Sequence, residues 1–287
     1  MSVQWQHIEG PDGVTLPFAE LHGDASGPTW LLTAGVHGDE YEGPAAIRGV
    51  VSEMENKAFP GRVIAVPVVN PAAYAVGQRC HPGDGGNLNR AFPGDAQGGP
   101  SARWAAFIWT QFATHGDRLI DLHAGGVTWH FAPLAGFFRA EDQPLAQAMG
   151  LTLWSMPETP GVFSGEFRRL RGPALGVELG HGGTRDDALV EHARQAIVSI
   201  ITKPLPAIDA AIPVYRHEDV LSIADGEWSP GVRVGDEVGI GDALGDVYDW
   251  QADVTHRIVS RYAGKVLAVR RLVSTQRRDL LVVLGIR

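Results

Sequence analysis

Trp30-Leu31-Leu32-Thr33-Ala34-Gly35-Val36-His37-Gly38-Asp39-Glu40 is the stretch on which the fold turns. A continuous apolar run without alternation reads as a strand buried on both faces, the kind found in parallel sheets. It ends in glycine, then in a histidine and a carboxylate three residues apart, on one turn where a strand gives way to a helix. Both side chains then reach a single cation. A third donor, His123, ends another apolar run, Arg118-Leu119-Ile120-Asp121-Leu122-His123. Three protein ligands with a fourth tetrahedral position open to water are the pattern of catalytic zinc; structural zinc takes four Cys or His ligands. Asp121 alternates with His123 and points to the same face, either orienting that ligand or serving as a buried structural carboxylate.

Outward from this stretch, continuous apolar runs alternate with amphipathic ones, which predicts an α/β fold with a mixed sheet flanked by helices. Strands are expected at 30–34, 62–69, 118–122 and 174–179, and helices at 42–55, 101–114, 143–149 and 186–203, after an edge hairpin near Gly10-Pro11-Asp12-Gly13. The segment 70–100 is a long loop rich in Gly, Pro and Asn, and such loops are usually functional. Beyond Lys203-Pro204-Leu205-Pro206 the pattern changes to short β pieces separated by glycine, as in Gly231 to Gly245. Residues 1–206 therefore read as a catalytic domain and 207–287 as a small all-β domain. The tail resembles the barrel-sandwich fold of biotinyl and lipoyl carriers, but no lysine lies near Tyr248-Asp249-Trp250 for attachment. It is read as a structural module or a lid.

Composition narrows the function classes. The net charge is −9 over 287 residues with no block of like charge, which argues against a nucleic-acid binder. No stretch reaches the roughly 18 apolar residues of a membrane helix, and the segment Met1 to His7 has no basic or apolar targeting signature, so a cytoplasmic location is expected. The single cysteine, Cys80, rules out an internal disulfide and any Cys-based zinc cage.

The remaining chemistry points to hydrolysis. Glu178 ends the apolar run Ala174-Leu175-Gly176-Val177, where a carboxylate is costly to bury without a partner or a purpose, and is the candidate general base. In the long loop, Arg79 is suited to stabilise an oxyanion beside a metal, and Asn89-Arg90 to grip a carboxylate. A serine hydrolase is disfavoured by the absence of G-x-S-x-G, and a cysteine hydrolase because Cys80 lacks a third partner.

Gly35 to Gly43, Asn70-Pro71, Arg79, Asn87 to Gly94, Asp121 to Gly126 and Gly176 to Gly180 occur in the order and approximate spacing of the succinylglutamate desuccinylase/aspartoacylase family, relatives of the zinc carboxypeptidases. The resemblance covers roughly 29–203, and the β tail looks like the family's C-terminal module. It implies a zinc-carboxypeptidase-like fold with one Zn2+ per chain, held by His37, Glu40 and His123. It implies Glu178 as general base and acid, Arg79 polarising the scissile carbonyl, and Asn89 and Arg90 binding the substrate carboxylate. Arg168 stands near where aspartoacylases keep an arginine for a second carboxylate, with Arg169 and Arg171 close by.

The implied activity is removal of an acyl group from the amino nitrogen of a small N-acylated amino acid or diamino acid, and a homodimer fits the family. Arg79 stands apart from Asn89-Arg90, with His81 to Gly85 between; this longer form looks more like bacterial members that deacetylate acetylated diamino acids, including the ectoine-degradation deacetylases. Two alternatives stay open. A metallocarboxypeptidase would use the same ligands, although a β tail that narrows the pocket disfavours long peptides. A catalytically silent metal-binding protein is disfavoured by the intact Glu178 and Arg90. Trp228, Tyr248 and Trp250 are expected to pack within the tail or to stand at the pocket mouth.

Overall fold

The computed structural model describes residues 5–287. Residues 1–4, part of the segment read for targeting signals, lie outside the described residues. The chain opens on an antiparallel hairpin of β1 (Gln6–Glu9) and β2 (Thr15–His22), joined through Pro11–Gly13 as expected. Then come β3 (Ala25–Ala34), α1 (Glu42–Met54), β4 (Pro60–Val66), α2 (Pro71–Ala75), α3 (Pro100–Gln111) and β5 (Arg118–His123). The strands β6 (Trp129–Phe131) and β7 (Leu134–Phe137) precede α4 (Gln143–Ala148), β8 (Thr152–Ser155), α5 (Phe163–Leu170), β9 (Ala174–Glu178) and α6 (Asp187–Thr202). The tail is all β: β10 (Val214–Leu221), β11 (Gly226–Pro230), β12 (Glu237–Val238), β13 (Ala243–Asp249), β14 (Val254–Val259), β15 (Gly264–Arg270), β16 (Ser274–Thr275) and β17 (Leu280–Ile286). Among the described residues, no helix is long and apolar enough to cross a membrane.

The centre of the sheet runs β4-β3-β5-β9, all parallel, so these strands end on one edge. Their apolar runs are unbroken because both faces are covered. Trp30, Leu32 and Ala34 of β3 join Ile120 and Leu122 of β5 in a core with Ile47, Val50 and Met54 of α1 and Ile197 and Ile201 of α6. Leu31 and Leu119 face the other way, onto Trp104 and Ile108 of α3 and Phe163 and Phe167 of α5. Each such side chain buried stabilises the fold by about 1.5–3 kcal/mol, and the two layers hold the strand edge rigid beneath the loops.

Two features differ from the sequence reading. The strand expected over 62–69 stops at Val66, because Pro67 has no N–H to continue the ladder. Residues 163–170, where the sequence reading placed no element, form α5; Phe163 and Phe167 mark its apolar face, and Glu166 and Arg168 are buried against ion-pair partners.

The tail does not stand apart. β10 pairs in parallel with β8, and β17 and β15 follow, so the ladder of hydrogen bonds runs without a break from the amino-terminal half into 207–287. Ala132 and Leu134 share a core with Tyr215, Leu267 and Val283. A second sheet, β14-β13-β11-β16, closes over a core containing Trp228, Leu244 and Leu281. Trp228 is thus a packing residue, whereas Tyr248 and Trp250 are exposed.

Candidate active site

The loop after β3 is braced by the residues that follow β4. Asn70 receives the chain through its N–H to Gly35 O at 3.1 Å and donates its side-chain amide to Val36 O at 3.1 Å. Its Oδ1 accepts from Ala73 N–H at the start of α2. Gly38 passes so close to α2 that a Cβ would lie 2.1 Å from the Ala73 backbone, which excludes any side chain there. Asp39 is turned away from its neighbours: its carboxylate accepts Val127 N–H at 2.8 Å and its backbone O accepts Gly183 N–H at 2.9 Å, tying together the loops that follow β5 and β9.

The three expected ligands converge. His37, Glu40 and His123 are buried, and one donor atom from each lies within 4.8 Å of the others. His37 Nδ1 is 2.7 Å from one Glu40 oxygen and His123 Nδ1 is 3.2 Å from the other. The far nitrogens are engaged by acceptors. His37 Nε2 lies 3.1 Å from Asn87 Oδ1, which already accepts from Asn89 N–H, so the imidazole must donate there. His123 Nε2 donates to Asp121 at 2.8 Å, and Asp121 also accepts the Thr33 hydroxyl at 2.7 Å across the β3–β5 ladder. Both Nδ1 lone pairs are therefore aimed at a carboxylate, an arrangement that is repulsive unless a proton or a cation sits among them. Two imidazoles and a carboxylate of this kind fit a divalent transition metal with open positions.

The electrostatics say the same. Burial alone would push Glu40 up, but His37 and His123 outweigh it and hold its carboxyl well below the ordinary range. Burial opposes charging of His123, yet Asp121 and Glu40 overcome it and draw that imidazole well above its usual value. The cluster attracts positive charge at one point.

Around it lies a cavity of about 320 Å³ lined by His37, Glu40, Arg79, Asn89, Arg90, His123 and Glu178, among others. Glu178 pairs with His123 in the β5–β9 register, so the two ends stand side by side. Burial pushes its carboxyl up to about 8, and its Oε2 has no hydrogen-bond partner. A cation in the cluster would pull that value back down. Arg79 donates to Glu40 at 3.2 Å while remaining about a third exposed. Asn89 accepts Phe163 N–H at the start of α5 through Oδ1, which leaves its amide N–H₂ for the cavity. Arg90 donates to its neighbour's carbonyl, Asn89 O, but has no carboxylate partner among the described residues. Burial, with Arg79 nearby, lowers its affinity for its proton, so an anion there is favoured.

Arg168 is not among the residues lining this cavity. Its Nε donates to Asp142 at 2.6 Å and its Nη2 to Glu141 at 2.5 Å, because a buried guanidinium on α5 needs carboxylates. Arg169 pairs with Glu166 and Arg171 donates to Thr114 O, so no arginine of this segment reaches the cavity. From α5 it is Ser164 that lines the wall, approaching β9 where Gly176 leaves room. Lining residues absent from the sequence reading include Trp129, Trp154, His217 and Asp219. The last two belong to β10, and no pattern in the sequence marks the tail as a cavity wall.

Residues 26–203 match the succinylglutamate desuccinylase/aspartoacylase catalytic domain. The N-alpha-acetyl-L-2,4-diaminobutyric acid deacetylase of Halomonas elongata is 36% identical over 168 residues, 55% of this chain and 49% of that protein. The chain thus aligns with about half the length of that relative. A succinylglutamate desuccinylase/aspartoacylase from Rhodobacter sphaeroides superimposes with a TM-score of 0.85 at 25% identity, covering 99% of this chain and 94% of the other. An aspartoacylase family protein from Mesorhizobium loti gives 0.83 at 26% identity, covering 100% and 96%. With five of the six motifs lining one cavity, the sixth, Asn70-Pro71, bracing the loop that carries His37, and more than half of its length matched, this chain belongs to the succinylglutamate desuccinylase/aspartoacylase family.

Proposed function

We propose that this protein is a metal-dependent amidohydrolase, zinc being the metal its ligands suit, that removes an acyl group from the amino nitrogen of a small N-acylated amino acid. The observation that carries the reading is the meeting, in one cavity of about 320 Å³, of a three-donor cluster, a partnerless carboxylate and an arginine free of carboxylates. His37, Glu40 and His123 would hold the ion, with Asn87 and Asp121 fixing the two imidazoles. When bound, the ion supplies a Lewis acid that acidifies water and polarises a carbonyl.

The chain's own groups do the rest. Asn89 and Arg90 orient the substrate through its carboxylate. Glu178 takes a proton from the attacking water and returns it to the leaving amine, a task suited to a carboxyl whose burial raises its basicity. Arg79, held beside Glu40, donates to the oxygen on which negative charge develops. Leu280 and Val283 of β17 narrow the cavity, which favours small amides over peptides. The name of the Halomonas elongata relative supports an acetylated amino acid among the candidates.

The test combines metal analysis with turnover on acetylated, succinylated and formylated amino acids, a dipeptide and a longer peptide. Bound metal with release of acid from an acyl amino acid is expected, and Glu178→Gln should lower kcat by about two to four orders of magnitude while keeping the metal. Faster cleavage of the peptides would favour a carboxypeptidase, and near-normal kcat in the variant would remove Glu178 from the mechanism.

A further inference from the structure

Away from the catalytic cluster, two further histidines face each other. His130 is the middle residue of β6 and His181 follows the end of β9, and the two are opposed in a lone antiparallel bridge. Phe131 N–H donates to Gly180 O at 3.2 Å, a bond between the residues that flank the pair. His130 and His181 are therefore a non-hydrogen-bonded pair, the kind in which opposite Cα atoms come to about 4.5 Å and side chains approach most closely. Their ring centroids are 5.3 Å apart, with the planes tilted by 50°.

That spacing is the one a shared ion requires. Two imidazoles on one tetrahedral ion, each bound through a nitrogen about 2.0–2.1 Å away, place their ring centres about 5 Å apart. The same molecule supplies the comparison: His37 and His123, the imidazoles of the catalytic cluster, stand 5.3 Å apart with planes tilted by 47°. The second pair differs in access. His130 is exposed and His181 half-buried, so an ion can enter from solvent. Among the described residues no hydrogen bond engages the His130 ring, and that of His181 has one contact, between Nδ1 and Thr184 Oγ1 at 3.4 Å. Burial, with His181 and Arg271 nearby, lowers the affinity of His130 for its proton, which keeps a lone pair available at neutral pH. Arg271 opposes a cation here, but it is exposed, and salt screens such a charge.

We propose that His130 and His181 form a second metal site, an exchangeable one for a divalent transition ion of the zinc or copper class, with water completing the coordination. Two accessible imidazoles hold such an ion more weakly than three buried donors, so the site fills when metal is in excess. Trp129 and Phe131 line the catalytic cavity, and His130 between them points to the opposite side of β6. Gly180, the acceptor of both Gly125 N–H and Phe131 N–H, lies two residues beyond Glu178. An ion on the pair thus fastens a wall of the cavity to the segment that carries Glu178, from outside the cavity.

The experiment titrates the full chain, already carrying one equivalent of zinc, with further Zn2+ in equilibrium dialysis. It runs beside His130→Asn, His181→Asn and, at an exposed histidine elsewhere, His22→Asn. Wild type and His22→Asn should take up one ion more per chain than either site variant at the same free zinc. Loss of one of two imidazoles should weaken the site about 100-fold, since losing a group that merely orients a ligand already costs about 10- to 100-fold. Excess zinc should raise the Tm of the wild type above that of the site variants, which match it at one equivalent. In imidazole 15N spectra the resonances of His130 and His181 should shift together as zinc is added. Equal uptake by the wild type and both site variants, or a shift of one ring without the other, overturns the site. The difference in uptake is the same whether or not the catalytic cluster binds its ion or cleaves an amide, so the deacylase reading stands or falls separately.

Discussion

Asp121 never touches the proposed metal, yet it decides what His123 can do. It accepts the Nε2 proton at 2.8 Å and is itself held by Thr33, so the opposite nitrogen stays free as a donor to a cation. Asp121→Asn keeps the shape and removes the charge, and should weaken zinc about 10- to 100-fold by competition against a chelator of known affinity. Unchanged affinity would mean that this carboxylate serves folding alone. The His37, Glu40, His123 set was legible because strand ends and a short spacer bring it together locally. Asn87, which orients His37 from 50 residues away, was not, because an amide in a loop carries no periodic signal.

At the scale of elements, α5 is the instructive case. A helix with only two apolar anchors, Phe163 and Phe167, presents little periodicity, and its arginines suggest a surface loop. The structure instead buries Arg168 to 8% exposure against the fully covered Asp142. Arg168→Met should therefore lower stability by roughly 3 kcal/mol in denaturant unfolding, since it leaves a buried carboxylate without its partner. KM for an acyl amino acid should stay at the wild-type value; a rise in KM with unchanged stability would restore the substrate role. The parallel strands, by contrast, were readable from their unbroken apolar runs, and their ends from the polar residues that follow.

For the whole molecule, the decisive fact is that the sheet does not stop at residue 206. β8 would be an open edge without β10, and Ala132, Leu134 and Trp154 would lose Tyr215, Leu267 and Val283 as packing partners. A chain ending at residue 206 should accordingly be insoluble or lack cooperative thermal unfolding, and retain no deacylase activity even with metal supplied. A soluble truncated chain with a sharp thermal transition would show the tail to be dispensable for folding. The resemblance of the tail to carrier modules said nothing of this continuity, which arises from pairing between strands about 60 residues apart.

By itself the sequence determined the parallel strands, the three-donor cluster at their ends, the neighbouring Glu178 and the family, because these follow from local periodicity and from motifs spaced along single strands and turns. Only the tertiary structure decided that Arg168 serves the core and that His217 and Asp219 wall the cavity. Those assignments depend on which distant segments pack together. Burial demands a partner for every charge but does not name it in advance.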